Sequence, residues 1–316
     1  MQVEDFDDRP PHHPEAPFLD RLSLRRVDRD IFTGWCHAGA PQRAFGGQVA
    51  AQALVAAGTT VEQPGRRVHS LHSYFLRPGR TTDHIVYQVD RPRDGRSFST
   101  RRVRAVQYGE TIFTMSASFA KAQSGPSHEE TFQVDAAESW LSAIPGPNEV
   151  AELDILAQIK RNNNYSGEDS DDSARRAGFP DQDLIDLRFV PKDRVVGLQG
   201  QRWDRMAWIR TKELLPPDNL VQSCALTYFS DLTLVGTVLS HYDDQNPTIG
   251  VQQDVASIDH ALWFHAPIRA DEWVLFVTKS PISGGGHGFA RGEFFNEQGN
   301  LIASAAQEVL VRDRPA

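Results

Sequence analysis

The chain has 316 residues, 40% of them hydrophobic, a net charge of −9 at neutral pH and two cysteines. That length holds one large domain or two of ordinary size, the acidity argues against a general nucleic-acid binder, and no apolar run reaches the roughly 18 residues that span a bilayer. Cys36 and Cys224 supply neither a disulfide framework nor a metal cluster.

The opening run, MQVEDFDDRPPHHPEAP, is acidic and Pro-rich. It lacks the basic-then-apolar pattern of a signal peptide, and Arg312-Asp-Arg-Pro-Ala316 is not a Ser-Lys-Leu peroxisomal address. The expectation is a cytoplasmic, reducing setting with a disordered tail over 1–18. Residues 22–35 read as a short helix or strand. Phe45-Gly-Gly-Gln-Val49 then leads into an Ala-rich helix to Gly58, a good helix former entered through a Gly pair. It is apolar nearly all round and so should be buried. Four strands follow at 68–76, 83–90, 97–107 and 111–119. The breaks between them are Pro78-Gly79, Asp94-Gly95 and Tyr108-Gly109. One apolar helix is the natural filler for the buried face of such an antiparallel meander.

Residues 122–199 read as a linker with helices at 137–143 and 149–159. Within it, the acidic run 162–172 is nearly devoid of apolar residues and is expected to be mobile. It lacks the ligand spacing and closing Glu of a calcium loop. After Gln199 the first pattern returns. A strand at 202–212 precedes a second apolar helix over 218–239, entered through Pro216-Pro217-Asp218. Strands follow at 248–257, 260–267, 273–280, 287–295 and 301–312.

This order is a repeat. His69–Leu76 lies over Ser257–Phe264, matching His72 with His260, and Tyr108–Phe119 lies over Gln298–Val309, matching Gly109 with Gly299. The chain therefore reads as an α+β protein of two helix-plus-sheet units, 19–121 and 200–316, the second carrying the site.

The differences between the copies locate that site. By period two, the inward face of the last strand is Leu301, Ala303, Ala305, Gln307, Val309 and Val311. Burying the Gln307 amide without partners costs about 1–3 kcal/mol, and its counterpart in the first copy is Ala117. Gln307 either faces a polar ligand or bonds to backbone. Asp231 lies on the apolar stripe of the second helix, whereas the first helix carries no acid. It is either a base whose pKa burial raises or part of a Ser230-Asp231 cap at a helix break. Ser257, strand-borne, is either a third site member or an ordinary strand-end hydroxyl. An acceptor, a hydroxyl and an amide together can hold and polarise one water.

Other motifs read as structural. Gly284-Gly-Gly-His-Gly288 lacks the Lys-Ser/Thr ending of a phosphate loop, and His260, His265 and His287 are too scattered for a metal site. No metal or cofactor is expected. From Arg66 to Arg104 there are ten arginines, no lysine and three acids. That excess either faces solvent or holds phosphates.

The sequence resembles the TesB-like acyl-CoA thioesterase II family. The resemblance spans about residues 20–312 and rests on Phe45-Gly-Gly-Gln-Val49, Val68-His-Ser-Leu-His-Ser-Tyr-Phe-Leu-Arg-Pro-Gly79, Arg93-Asp-Gly-Arg-Ser-Phe98, Ser230-Asp-Leu232, Ile258-Asp-His260 with Trp263-Phe-His265, and Arg291-Gly-Glu-Phe294 followed by Gln307-Glu308. It implies a double hotdog fold, each sheet wrapping a central helix, and hydrolysis of fatty acyl-CoA to free acid and CoA. Its Asp/Thr-or-Ser/Gln group falls on Asp231, Ser257 and Gln307, and the middle position is Ser here. The stretch 160–178 departs from the familiar members. A homo-oligomer, dimer or tetramer, is expected, with the arginines of 66–104 meeting CoA phosphates. The rival readings are an acyl-CoA-binding module without turnover and a hotdog enoyl-CoA hydratase. The hydratase needs an Asp/His pair, and no histidine is clearly placed beside Asp231.

Overall fold

The computed structural model describes residues 13–36, 43–128, 140–150, 181, 183–192, 195, 203–243 and 253–313. The first half comprises α1 (Phe18–Leu22), β1 (Arg25–Asp28), β2 (Ile31–Gly34), α2 (Gly46–Thr59), β3 (Arg66–Phe75), β4 (Ile85–Asp94), β5 (Phe98–Gln107) and β6 (Glu110–Lys121). The second comprises β7 (Ile185–Phe189), β8 (Arg205–Thr211), α3 (Asn219–Ser230), α4 (Leu234–Asp243), β9 (Gln253–Ser257), β10 (Asp259–Phe264), β11 (Val274–Gly284), β12 (His287–Asn296) and β13 (Leu301–Asp313).

The strands run in the order β1-β2-β4-β5-β6-β3-β10-β13-β12-β11-β8-β7, with β9 also on β13. First-half strands thus fill one side of a single antiparallel sheet and second-half strands the other, joined where β3 pairs with β10, Leu71 opposite Leu262. This is the double hotdog. The matched turns agree as well: Gly109 and Gly299 both carry φ near +80° (+77° and +81°), a conformation closed to most side chains.

Ten of the fourteen residues of α2 are buried, on every face, as its composition requires. Two of them are glutamines with assigned tasks. The Nε2 groups of Gln48 and Gln52 both donate to the Arg21 and Trp35 carbonyls, and Tyr87 donates to Gln52 Oε1. These bonds tie the edge hairpin β1–β2 to the helix it flanks. In the second half both sheet faces are covered. Ala207 and Ile209 of β8 join the helix side, while Met206 and Trp208 pack outward with Trp140, Ile144 and Trp273. That double burial explains why β8 reads as a continuous apolar run.

The structure corrects several expectations. Residues 13–18 are placed, and Phe18 of the expected tail is fully buried against Tyr228 and Phe229. Residues 22–35 form the hairpin β1–β2. The connecting segment is not all linker, because β7 pairs with β8 and brings the start of the second half's sheet forward to Ile185. Trp140–Ala143, within the expected helix 137–143, is a single 3-10 turn, and residues 151–159 of the second expected helix lie outside the described residues. The acidic run 162–172 lies outside the described residues. The second helix is two helices, α3 and α4, with a break at residues 231–233.

At the C-terminal end of α2, Arg101 is fully buried. It donates to Thr60 Oγ1 at 2.7 Å and to both Asp94 oxygens, at 2.9 and 3.1 Å. Removing one member of such a pair strands the other. Asp94→Ala is therefore expected to destabilise the fold by about 3 kcal/mol, at the lower end for buried pairs because Asp94 is partly exposed. Urea unfolding would measure the loss.

Candidate active site

Asp231 sits at the helix break. It is the C-terminal cap of α3, with φ −91° and ψ −4°. The two sequence readings of Asp231, buried acid and cap at a break, therefore coincide. The break lies against the first half. A Cβ on Gly47 would stand 2.6 Å from the Tyr228 carbonyl, and one on Gly46 would stand 2.7 Å from Asp231 Oδ2 and 2.8 Å from the Phe75 ring. Only glycines let the start of α2 approach this closely. The site is thus built from both halves, not from the second alone.

Ser257 reaches Asp231 because its strand is bulged. β9 pairs with β13 with Ser257 opposite Val309, while β10 pairs with Ala261 opposite Ala306, a slip of one residue around Ile258. β3 slips on β6 at the matching place, between Val68 and Ser70. Such bulges re-aim a side chain. Ser257 Oγ donates to Asp231 Oδ1 at 3.1 Å, and Gln307 Nε2 donates to Ser257 Oγ at 2.6 Å. Gln307 is fully buried between Ala305 and Val309, on the expected inward face. The three residues singled out in the sequence are therefore brought together.

The chain of bonds continues beyond them. His260 Nδ1 lies 2.7 Å from Gln307 Oε1, and its Nε2 lies 2.7 Å from Ser230 Oγ. Ser230 Oγ also lies 2.8 Å from the Thr227 carbonyl, and Ser73 of β3 donates to the His260 carbonyl. His260 is buried and part of the network, contrary to its reading as a structural residue matched to His72. The register shows why that match fails. His260 lies opposite Ser73, whereas His72 lies opposite Ala261 on the outer face, edge-on to Trp263. A one-residue offset reverses every face.

Burial pushes the Asp231 carboxyl above the ordinary carboxylate range. The nearby His260 ring, the Ser257 hydroxyl, the Gln307 amide and the Gly47 N–H pull it partly back. The positive end of α2 adds to that pull. A desolvated carboxylate whose proton affinity is raised is suited to general-base chemistry.

The arginine stretch does not form one cluster. Arg66, Arg91 and Arg101 are spent on Ser99, Asp30 with Glu62, and Asp94 respectively. Arg77 and Arg80 lie at the other end of α2, where Ala44 donates to the Gly79 carbonyl beside the helix start. Both are exposed, Arg77 pairing with Glu110 and Arg80 lying over the Tyr108 ring. Among the described residues no helix is long and apolar enough to cross a membrane.

Comparison with known proteins shows where this arrangement recurs. Residues 181–310 match the acyl-CoA thioesterase family model, and residues 33–120 match the acyl-CoA thioesterase N-terminal domain model. The chain is 34% identical to human acyl-coenzyme A thioesterase 8 over 93% of its own length and 88% of that protein. It is 31% identical to acyl-CoA thioesterase 2 of Haemophilus influenzae, over 92% and 95% of the two chains. The crystal structure of an acyl-CoA thioesterase II, TesB2, from Mycobacterium marinum superposes with a TM-score of 0.72 at 37% identity, covering 93% of this chain and 97% of that one.

Proposed function

Because the chain belongs to the acyl-CoA thioesterase II family and hydrolyses acyl-CoA thioesters, we propose that Asp231, Ser257 and Gln307 carry the reaction. The observation that supports this most is the continuous hydrogen-bonded line from the Gln307 amide through the Ser257 hydroxyl to a buried carboxylate. Ser257 and Gln307 hold a water against Asp231, which takes its proton as the oxygen attacks the thioester carbonyl. The tetrahedral oxyanion forms at the start of α2, where backbone N–H groups and the helix dipole face developing negative charge. Its collapse breaks the C–S bond and releases CoA as the thiol, which takes up the proton, and the fatty acid. The acyl chain runs along the apolar side of α3. Arg77 and Arg80 hold CoA phosphates at the same end of α2.

Saturable release of free thiol from a series of acyl-CoA chain lengths tests the activity. Stoichiometric binding without release would instead fit a non-catalytic module. His260, joined to the Asp231 site through Gln307 and Ser230, offers the histidine of the Asp/His pair that an enoyl-CoA hydratase needs. Family membership stands against that reading, and loss of the enoyl ultraviolet signal without thiol release would revive it. Within the site, Gln307→Leu is expected to lower kcat by about 10²-fold, the scale for losing one preorganised donor, with ordered folding by circular dichroism. A wild-type kcat in that variant would remove Gln307 from the mechanism. The same reading includes a cytoplasmic location, a role in lipid metabolism, a homo-oligomeric state, and two units covering 19–121 and the chain from near Asp181 onward.

A further inference from the structure

We propose that His260 is a positioning residue for the hydrolysis, acting through Gln307 by fixing which end of its amide faces Ser257 and Asp231. The inference rests on the assignment of Asp231, Ser257 and Gln307 above.

A primary amide has two nearly isosteric ends with opposite hydrogen-bonding character. In this site the orientation decides the chemistry. With Nε2 toward the carboxylate, Gln307 donates to Ser257 Oγ, and its amide lowers the proton affinity of Asp231. Reversed, its carbonyl oxygen would face an acceptor-only carboxylate, and Ser257 would have two acceptors competing for one proton. Nothing in Gln307 itself selects between these states. The strand gives it an apolar setting, with Ala305 and Val309 on either side of it along the inward face.

The selecting group is His260. Oε1 of Gln307 can only accept, so the Nδ1 atom 2.7 Å away is the donor. The ring is itself held at two points beyond Gln307. Its Nε2 meets Ser230 Oγ at 2.7 Å, and its backbone carbonyl accepts from Ser73 Oγ at 2.8 Å. Ser230 Oγ also lies 2.8 Å from the Thr227 carbonyl, so with Nδ1 donating to Gln307 its single proton goes either to Nε2 or to that carbonyl. His260, Ser230, Ser73 and Gln307 are all more than nine-tenths buried, so water does not substitute for any of these contacts freely. Ser230 immediately precedes Asp231. The line of bonds therefore closes on itself, from residue 230 through His260, Gln307 and Ser257 back to residue 231. One break in that ring releases the amide.

The ring predicts a specific pattern of rescue. His260→Leu removes the donor. His260→Asn places an amide N–H near the Nδ1 position and keeps donation to Gln307 while losing Ser230. His260→Gln reaches toward Ser230 instead. In free-thiol assays His260→Leu should lower kcat by roughly 10- to 100-fold, the scale of a misplaced catalytic group, with KM unchanged. His260→Asn should recover most of that loss and His260→Gln little of it. Retention of wild-type kcat in His260→Leu, or recovery in His260→Gln and not in His260→Asn, overturns the proposal. If His260→Leu does not fold, the Asn and Gln variants decide it by the same ordering of kcat. Asp231→Asn assayed in parallel separates the two claims. Full activity there would remove the underlying site assignment, whereas its loss alongside a fully active His260 series removes only the positioning role.

Discussion

Asp231→Asn is expected to lower kcat by about 10²–10⁴-fold, the range for losing a general base, while leaving the protein folded. Asparagine keeps the shape of the carboxylate, so the Ser257 hydroxyl can still bond to its oxygen. What disappears is the capacity to take a proton from water. A second measurement should move in the opposite direction. Asp231 is held above its unfolded value chiefly by burial. The stability of its protonated form is fully present below the unfolded carboxylate value, near 4, and is lost as the pH rises through the raised native value. The asparagine variant escapes that loss. Its melting temperature relative to the wild type should therefore be higher at pH 7 than at pH 4. By the same sign, the wild-type kcat/KM should climb with pH along an acid limb centred above the ordinary Asp range, and that limb should be absent from the residual activity of the variant. A variant that still turns over at the wild-type rate would remove Asp231 from the role of base.

Gly46→Ala is the second large effect. The new methyl would stand 2.7 Å from Asp231 Oδ2 and 2.8 Å from the Phe75 ring, closer than real side-chain contacts, so one of the two must give way. Phe75 packs on Phe113 at 5.1 Å between ring centres, within the core of the first half. The carboxylate is the nearer of the two. Displacing it by even a fraction of an ångström takes it out of line with Ser257, and misplacement of this kind costs on the order of 10²-fold in rate. Overpacking adds about 1–3 kcal/mol of destabilisation. Steady-state thiol release and urea unfolding on the same preparation would show both. A loss of stability with unchanged kcat would place Gly46 in the packing alone.

Much of the candidate site is legible in the sequence because it violates a pattern. Gln307 interrupts an inward face of Ala and Val, and Asp231 interrupts an apolar helix; both are polar where periodicity demands apolar. Ser257 carried no such mark, and what brings it to Asp231 is a bulge that composition does not announce. His260 was misjudged because it was matched to His72, an alignment right in element order and wrong by one residue in face. Gly46 and Gly47 were visible only as a helix entry, since the surface they approach lies more than 180 residues further along the chain. β7 was lost in the connecting segment because Asp181, Asp183 and Asp186 dilute its apolar signal. The fold itself was the more readable part, because helix order, turn glycines and strand alternation repeat twice.

The close approach of α2 to α3 has a further consequence. The helices touch near both ends: Asp231 meets Gly46 at one, and a Cβ on Gly58 would stand 2.4 Å from Leu220 at the other. The second contact lies at the opposite end of the same helix pair. Ala117 stands for Gln307, and the start of α3 is already capped by Asp218. Where a second reaction centre would lie, the chain has placed a leucine plug and the Arg101–Asp94 pair. The two ends of the helix pair are thus built differently: one carries the buried carboxylate of the proposed site, and the other is closed by side-chain packing and a buried ion pair.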